Sequence, residues 1–208
     1  MSSRVIEQAI AARSAATVLR RLRRIDKDDL LAAMAIGLRK GVDEILAANR
    51  ADVDRGRDAG IDEALLDRLT LVPERIEGMA VGLEGVARLD DPVGEVVRGW
   101  HTPWGVKVAP VRVPIGGLGL IGAEGPNVTS DAAGICLKSG NVCLLRGSSS
   151  ALESNRAVIA AMRSRLPEEI REAVQLVEGG HEVTDELMAA RGYVDLPESY
   201  THLTVPAR

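Results

Sequence analysis

Residues 131–155, "DAAGICLKSGNVCLLRGSSSALESN", decide the fold because a helical pattern and a buried strand meet in them. An apolar, helix-like run ends at Ser139-Gly140-Asn141, and the four apolar residues 142–145 follow it. The chain then carries a lone arginine, Arg146, followed by one glycine and three serines. A short, entirely apolar strand between helical segments is typical of a parallel sheet that helices cover on both faces.

The same alternation continues on both sides of this segment. In chain order the pattern predicts strand 118–121, helix 127–138, strand 142–145, helix 151–165, strand 174–177 and helix 181–190. We therefore predict an α/β fold in which residues 114–196 form a partial parallel-sheet domain.

Residues 1–93 carry a helical pattern instead. One apolar stripe recurs at spacings of three and four residues, which places its members on one helix face: Leu31, Met34, Leu38, Val42 and Ile45. Pro73 begins a further predicted helix, at a position where its missing N–H is not needed. We therefore expect a helical region ahead of the sheet.

Between these regions, residues 94–113 are rich in Val, Gly and Pro. Alternating apolar residues in two segments joined near 101–105 predict a β-hairpin. Such a hairpin can supply a strand to a partner subunit, or it can pack on its own domain. The sequence leaves both alternatives open.

Composition argues against several classes of protein. The net charge is −4, so there is no basic surplus to bind nucleic acid or an anionic membrane. No apolar run approaches the about 20 residues of a membrane-spanning helix, and the start lacks a signal-peptide core, so a cytoplasmic protein is expected. Cys136, Cys143 and the three histidines have no metal-ligand spacing, which predicts no metal site and two buried, inert thiols.

The loop after strand 118–121, "GAEGPNVTSD", is one candidate site because ligands bind beyond the carboxyl ends of parallel strands. Its Gly125-Pro126 turn presents Asn127 at the start of the next helix. The Asn127 side chain can cap that helix. It can equally donate a hydrogen bond to an oxyanion that forms above the sheet.

The loop after strand 142–145, "RGSSSA", is the second candidate site. Arg146 follows the last buried residue, Gly147 allows close approach, and Ser148 and Ser149 offer hydroxyls and N–H groups to an anion. A basic residue beside small polar ones suits the 2′-phosphate of NADP(H), whereas NAD is held by a carboxylate. The alternative is a capping serine beside a surface arginine. Neither a G-x-G-x-x-G fingerprint nor a P-loop is present.

A family resemblance covers nearly the whole chain to about residue 196. The segment "VRVPIGGLGLIGAEGPNVTSDAAGICLKSGNVCLLRGSSSALESNRAVI" closely resembles the γ-glutamyl phosphate reductases, which belong to the aldehyde dehydrogenase superfamily. The resemblance extends upstream through "LLDRLTLVPERIEGMAVGLEGVARLDDPVGEV" and downstream through "AVQLVEGGHEVTDELMAARGYVDL".

The resemblance implies NADPH-dependent reduction of L-glutamyl 5-phosphate to L-glutamate 5-semialdehyde and phosphate in proline biosynthesis, through a cysteine nucleophile. Asn127 matches the asparagine that stabilises the oxyanion. Arg146 matches the residue that holds the adenosine ribose, with Gly147, Ser148 and Ser149 at the 2′-phosphate. Glu124 and Pro126 match further cofactor-binding positions. The hairpin at 94–113 matches the family's oligomerisation arm, which implies a homo-oligomer.

The chain also departs from the family pattern. Gly125 replaces an arginine that usually precedes Pro126, and residues 197–208, "PESYTHLTVPAR", have no counterpart in the family. We therefore expect a C-terminally truncated reductase without the catalytic domain and its nucleophilic cysteine, and so without activity. The alternatives are a non-catalytic nucleotide-binding fragment, a subunit that docks through the hairpin, or another NADP-dependent enzyme of the aldehyde dehydrogenase type.

Overall fold

Helices form the first part of the chain, as the sequence predicts. The computed structural model describes residues 4–123 and 125–199. Five described helices precede the first strand: α1 Arg4–Leu19, α2 Arg24–Lys40, α3 Val42–Asp58, α4 Glu63–Leu69 and α5 Pro73–Arg88. The predicted stripe is divided between two of them, because α2 ends before Gly41 and α3 begins after it. Its members Leu31, Met34 and Leu38 are fully buried where α2 packs on α5.

The predicted hairpin is confirmed. Strand β1, Trp100–His101, pairs antiparallel with β2, Lys107–Val108, and backbone hydrogen bonds extend the pairing to Gly94 and Arg112. Gly105 closes the turn with φ +80°, a conformation that favours glycine. The hairpin leaves its apolar side chains largely uncovered, with Trp104 87% and Val113 76% exposed. Packing on its own domain therefore does not account for these side chains.

A parallel sheet of four strands follows: β3 Gly117–Ala123, β4 Val142–Gly147, β5 Val174–Leu176 and β6 Leu196–Ser199. Helices α6 Pro126–Lys138, α7 Leu152–Arg163, α8 Glu168–Arg171 and α9 His181–Ala189 connect the strands, and a 3₁₀ turn, Ser149–Ala151, precedes α7. The three predicted strands are confirmed in this sheet. The strand order β5-β4-β3-β6 shows that the chain builds outward on one side of β3 and returns to the other side for β6.

Strand β6 is absent from the sequence prediction, which placed residues 197–208 in a tail. Pro197 lies inside this strand and is aligned with Gly119. A proline has no N–H for a strand ladder, so it is tolerated at the edge of a sheet, and β6 is an edge strand. Residues 200–208 lie outside the described part of the chain.

One hydrophobic core joins the helical region to the sheet. Buried residues of α1, α2 and α5 belong to the same cluster as the four apolar residues of β4. Helix α1 packs directly on β4. The helical region therefore serves as one of the layers that cover the sheet. No described helix is long and apolar enough to cross a membrane.

Candidate functional site

The carboxyl ends of β3 and β4 face a cavity of about 1100 Å³. Helices α4, α5 and α6 and the loop that follows β4 supply its walls. Both sequence-predicted loops therefore contribute to one site. Polar or charged side chains in the walls include Arg68, Arg75, Asn127, Asp131, Ser148 and Ser150.

Asn127 does not cap α6. The helix begins at Pro126, the capping position is Gly125, and no side chain makes the cap hydrogen bond. Asn127 is exposed, and its side-chain amide has no partner among the described residues. The interpretation of Asn127 as a helix cap is therefore wrong, and the amide is free to donate into the cavity.

Gly125 has a close neighbour in the Asn127 side chain. A β-carbon at position 125 would lie 2.8 Å from Asn127 Oδ1. An arginine at this position, as in the family pattern, would therefore push the Asn127 amide aside. Glu124, which the resemblance placed in the cofactor site, lies outside the described residues. Pro126 is buried as the first residue of α6.

Arg146 lies at the carboxyl end of β4, aligned with Ile121 of β3. Its one hydrogen bond within the described residues is weak, since Nη2 donates to the carbonyl oxygen of Gly179 over 3.5 Å. Within the described residues Arg146 has no acidic partner. A guanidinium without a counterion at this edge of the sheet is suited to an anionic ligand.

The serines after Gly147 are divided in their roles. Ser148 caps the 3₁₀ turn, accepting from the Ser150 N–H over 3.3 Å, and its Oγ lies 2.7 Å from the Ser150 Oγ. Ser149 is exposed, and its hydroxyl has no partner in the described part of the chain. The capping-serine interpretation is therefore right for Ser148, while Ser149 stays free to bind a ligand.

The loop after β5 is a further part of the site that the sequence analysis missed. Glu178 accepts from Arg156 over 2.8 and 2.7 Å, and these hydrogen bonds lower the pKa of the Glu178 carboxyl. Arg156 thereby pairs with the Glu178 carboxylate, and the carbonyl oxygen of the next residue, Gly179, contacts Arg146. The Gly179-Gly180 pair in the sequence could have indicated this loop, because it follows the predicted strand 174–177 after a single residue, Glu178.

Both cysteines of the chain lie in the core. Cys136 and Cys143 are both buried, and a hydrogen bond with Cys136 together with burial raises the pKa of the Cys143 thiol. This confirms the prediction of buried thiols. No group of three or more histidine, cysteine or acidic side chains in the described residues could hold a metal ion.

Comparison with known proteins identifies close relatives, although no family model matches the chain. The chain is 91% identical over 196 residues to the γ-glutamyl phosphate reductase of Cutibacterium acnes, which covers 94% of the chain and 47% of the relative. It is 48% identical over 191 residues to the enzyme of that name from Thermobifida fusca, covering 89% and 45%. The chain thus spans about half the length of the curated relatives it matches.

Solved structures show the same likeness. The crystal structure of γ-glutamyl phosphate reductase from Thermotoga maritima superposes with a TM-score of 0.91 at 38% identity, covering 97% of this chain and 49% of that one. The Saccharomyces cerevisiae structure gives 0.85 at 25% identity, with 96% and 52% covered. A lactaldehyde dehydrogenase, at 0.69 and 19% identity over 94% of this chain and 38% of that one, shares the fold.

Proposed function

The chain belongs to the γ-glutamyl phosphate reductase family of aldehyde-dehydrogenase-like oxidoreductases, and from this premise we propose that it supplies the NADPH site and the oxyanion-stabilising amide for the reduction of L-glutamyl 5-phosphate to L-glutamate 5-semialdehyde and phosphate. The observation that carries the proposal is the position of Arg146 at the carboxyl end of β4 without an acidic partner among the described residues.

The residues around Arg146 fit a nicotinamide cofactor with a 2′-phosphate. Arg146, Gly147, Ser148 and Ser149 would hold the adenosine ribose and its phosphate, because a charged fork, a small residue and hydroxyls lie together there. Arg156 supports this arrangement by pairing with Glu178, which neutralises the carboxylate that directly precedes Gly179. When bound, NADPH supplies the hydride for the reduction.

Asn127 would act on the substrate. Its free amide lines the cavity at the start of α6, where helix N–H groups already favour negative charge. We expect the amide to donate a hydrogen bond to the γ-carbonyl oxygen as that oxygen gains negative charge. The proposed positions of Glu124 and Pro126 at the cofactor stay predictions, as does a cytoplasmic location.

Calorimetric titration tests the cofactor site directly. The wild-type chain and Arg146→Ala are titrated with NADPH and with NADH. Loss of one charged hydrogen-bond partner should weaken NADPH binding by about tenfold or more, and by a clearly larger factor than NADH binding, because only NADPH carries the 2′-phosphate. Arg50→Ala serves as the control, because Arg50 is an exposed arginine of α3 outside the site. Identical NADPH curves for wild type and Arg146→Ala would show that the pocket is not a phosphate site.

The 208-residue polypeptide should not complete the reaction by itself. Its two cysteines are buried, and the pKa of the Cys143 thiol is raised, so neither provides the thiolate that the family chemistry needs. The measurement is NADPH oxidation with freshly made glutamyl phosphate. It is followed by the loss of NADPH absorbance at about 340 nm. Turnover above the substrate-free blank would contradict this prediction.

A second candidate function is a nucleotide-binding subunit that docks through its hairpin. The uncovered apolar side chains of residues 94–113 favour it. The two candidates share the Arg146 pocket and differ in what the hairpin binds. A homo-oligomer is the partner that the family resemblance favours.

A further inference from the structure

Asp131 is a cavity carboxylate that the roles described so far leave unused. It lies on α6 and lines the same cavity as Asn127. No hydrogen bond or ion pair joins its side chain to another described residue. Burial raises the pKa of its carboxyl, and no cation offsets that desolvation. Asp131 is an exposed residue of the cavity wall, and a carboxylate without a partner among the described residues is open to a cationic group from outside the chain.

Helix geometry relates Asp131 to Asn127. The two residues are four positions apart, so they lie on the same face of α6, one above the other. Four residues correspond to an axial rise of about 6 Å. The cavity wall therefore presents an amide donor and a carboxylate acceptor about one helical turn apart.

The substrate of the proposed reaction has a matching separation. Four covalent bonds join the γ-acyl carbon of L-glutamyl 5-phosphate to its α-amino nitrogen, which gives about 5 Å in an extended chain. We propose that Asp131 accepts the α-ammonium group of the substrate while Asn127 holds the γ-carbonyl oxygen. This inference rests on the proposed function, because it takes the substrate from that reaction.

Helix α5 leaves room for such a group opposite Asp131. A β-carbon at Gly82 would lie 3.4 Å from Asp131 Oδ1, and one at Gly78 would meet nothing within 4 Å. Gly82 thus places no side chain against the carboxylate, and Gly78 leaves another part of the α5 wall of the cavity open. An α-ammonium group can reach Asp131 without displacing a protein side chain.

The cavity arginine Arg75 does not compete for Asp131. Its Nη2 lies 3.0 and 3.1 Å from the two carboxylate oxygens of Asp67, and its Nη1 donates to the Thr70 carbonyl over 2.7 Å. Arg75 is therefore held on the α4 side of the cavity. This leaves Asp131 to discriminate γ-acyl compounds that carry an α-ammonium group from those that lack one.

A matched ligand pair tests the proposal on the full 208-residue chain. L-Glutamate 5-methyl ester carries the α-ammonium group, and monomethyl glutarate is the same ester without it. In titrations followed by NMR, the wild-type chain should bind the amino ester at least about tenfold more tightly. Asp131→Asn keeps the side-chain shape and should bind the two esters equally. Asp29→Asn, an exposed carboxylate of α2 away from the cavity, should keep the wild-type preference.

Two results would overturn the proposal. The first is a wild-type chain that shows no preference for the amino ester, which includes a chain that binds neither ester. The second is an Asp131→Asn variant that retains the preference. NADPH titration of the same samples separates this result from the proposed function. Normal NADPH binding with no ester preference would contradict the role of Asp131 and leave the proposed cofactor site standing. Ester preference without NADPH binding would support Asp131 and contradict the cofactor site.

Discussion

Charge pairing decides which ionic side chains of this protein are available to ligands. Arg156 forms hydrogen bonds with Glu178 and with Glu153, so its charge is neutralised within the fold. Arg146 lies at the same edge of the sheet with only a carbonyl contact at 3.5 Å. Two arginines that look alike in the sequence therefore differ in their pairing, because one has acidic partners in space and the other has none among the described residues.

The ion pair between Lys27 and Asp91 is a buried charge pair with a large expected effect on stability. Lys27 is 2% exposed, and its Nζ lies 2.5 Å from Asp91 Oδ2. Asp91→Asn keeps the shape and leaves the lysine charge buried without a partner, which should cost about 3 kcal/mol in the free energy of unfolding. Urea denaturation monitored by circular dichroism measures the difference.

The adjacent residue provides the control. Asp90 pairs with Arg24 over 2.9 Å, but its side chain is 97% exposed. Asp90→Asn should leave the unfolding midpoint unchanged, because solvent screens an exposed pair. Equal effects of the two substitutions would show that burial is not the reason for the Lys27 contribution.

Helix packing is set at the element scale by single small residues. Gly37 lies on α2 where this helix crosses α7, and a β-carbon there would overlap the carbonyl oxygen of Ala161. Only glycine permits this approach of the two backbones. Helix α7 in turn begins under the Asp52 carboxylate of α3, which accepts from the Ser154 N–H over 2.7 Å. Long-range capping of this kind fixes the helix that follows the Arg146 loop.

Two glycine substitutions test this packing with opposite expected signs. Gly37→Ala should lower the free energy of unfolding by about 3 kcal/mol, since α2 and α7 must separate to admit the methyl group. Gly78→Ala should raise it by up to about 1 kcal/mol, because alanine favours a helix and the position is open. Chemical denaturation of both variants measures the two changes. A stable Gly37→Ala variant would contradict the close contact of α2 with α7.

At the scale of the whole molecule, strand order determines where the site forms. The chain places β4 and β5 on one side of β3 and β6 on the other, so the loops of β3 and β4 open at the same edge. That edge lies near the point where the strand order reverses, the usual place for a ligand in an open parallel sheet. The helical region closes the cavity with α4 and α5.

The exposed apolar side chains of the hairpin lead to a prediction about the oligomeric state of the whole molecule. Trp104 and Val113 are largely exposed, so Trp104→Ser with Val113→Thr removes apolar surface without disturbing the core. We expect the wild-type chain to sediment as an oligomer and the double variant as a monomer with an unchanged unfolding midpoint. Sedimentation velocity over a range of concentrations measures this. A monomeric wild-type chain would contradict an oligomerisation role for the hairpin.

The sequence predicted much of this architecture from local patterns. Runs such as 142–145 and the alternation around residues 94–113 specify strand or helix through neighbouring residues alone. The prediction failed where distant packing decides: at Gly41, where one apolar stripe is divided between two helices, and at β6, where pairing with β3 makes a strand of a proline-containing segment.

The amino-acid sequence by itself determined the element types, the buried β4 strand and the small polar loop that follows Arg146. Tertiary structure alone decided that Arg156 takes the Glu178 carboxylate, and that Asn127 and Asp131 line a cavity without a side-chain partner among the described residues. The physical reason is the separation along the chain between the residues that interact. Backbone conformation responds to adjacent side chains, whereas hydrogen bonds and ion pairs depend on residues that only folding brings within about 3 Å of each other.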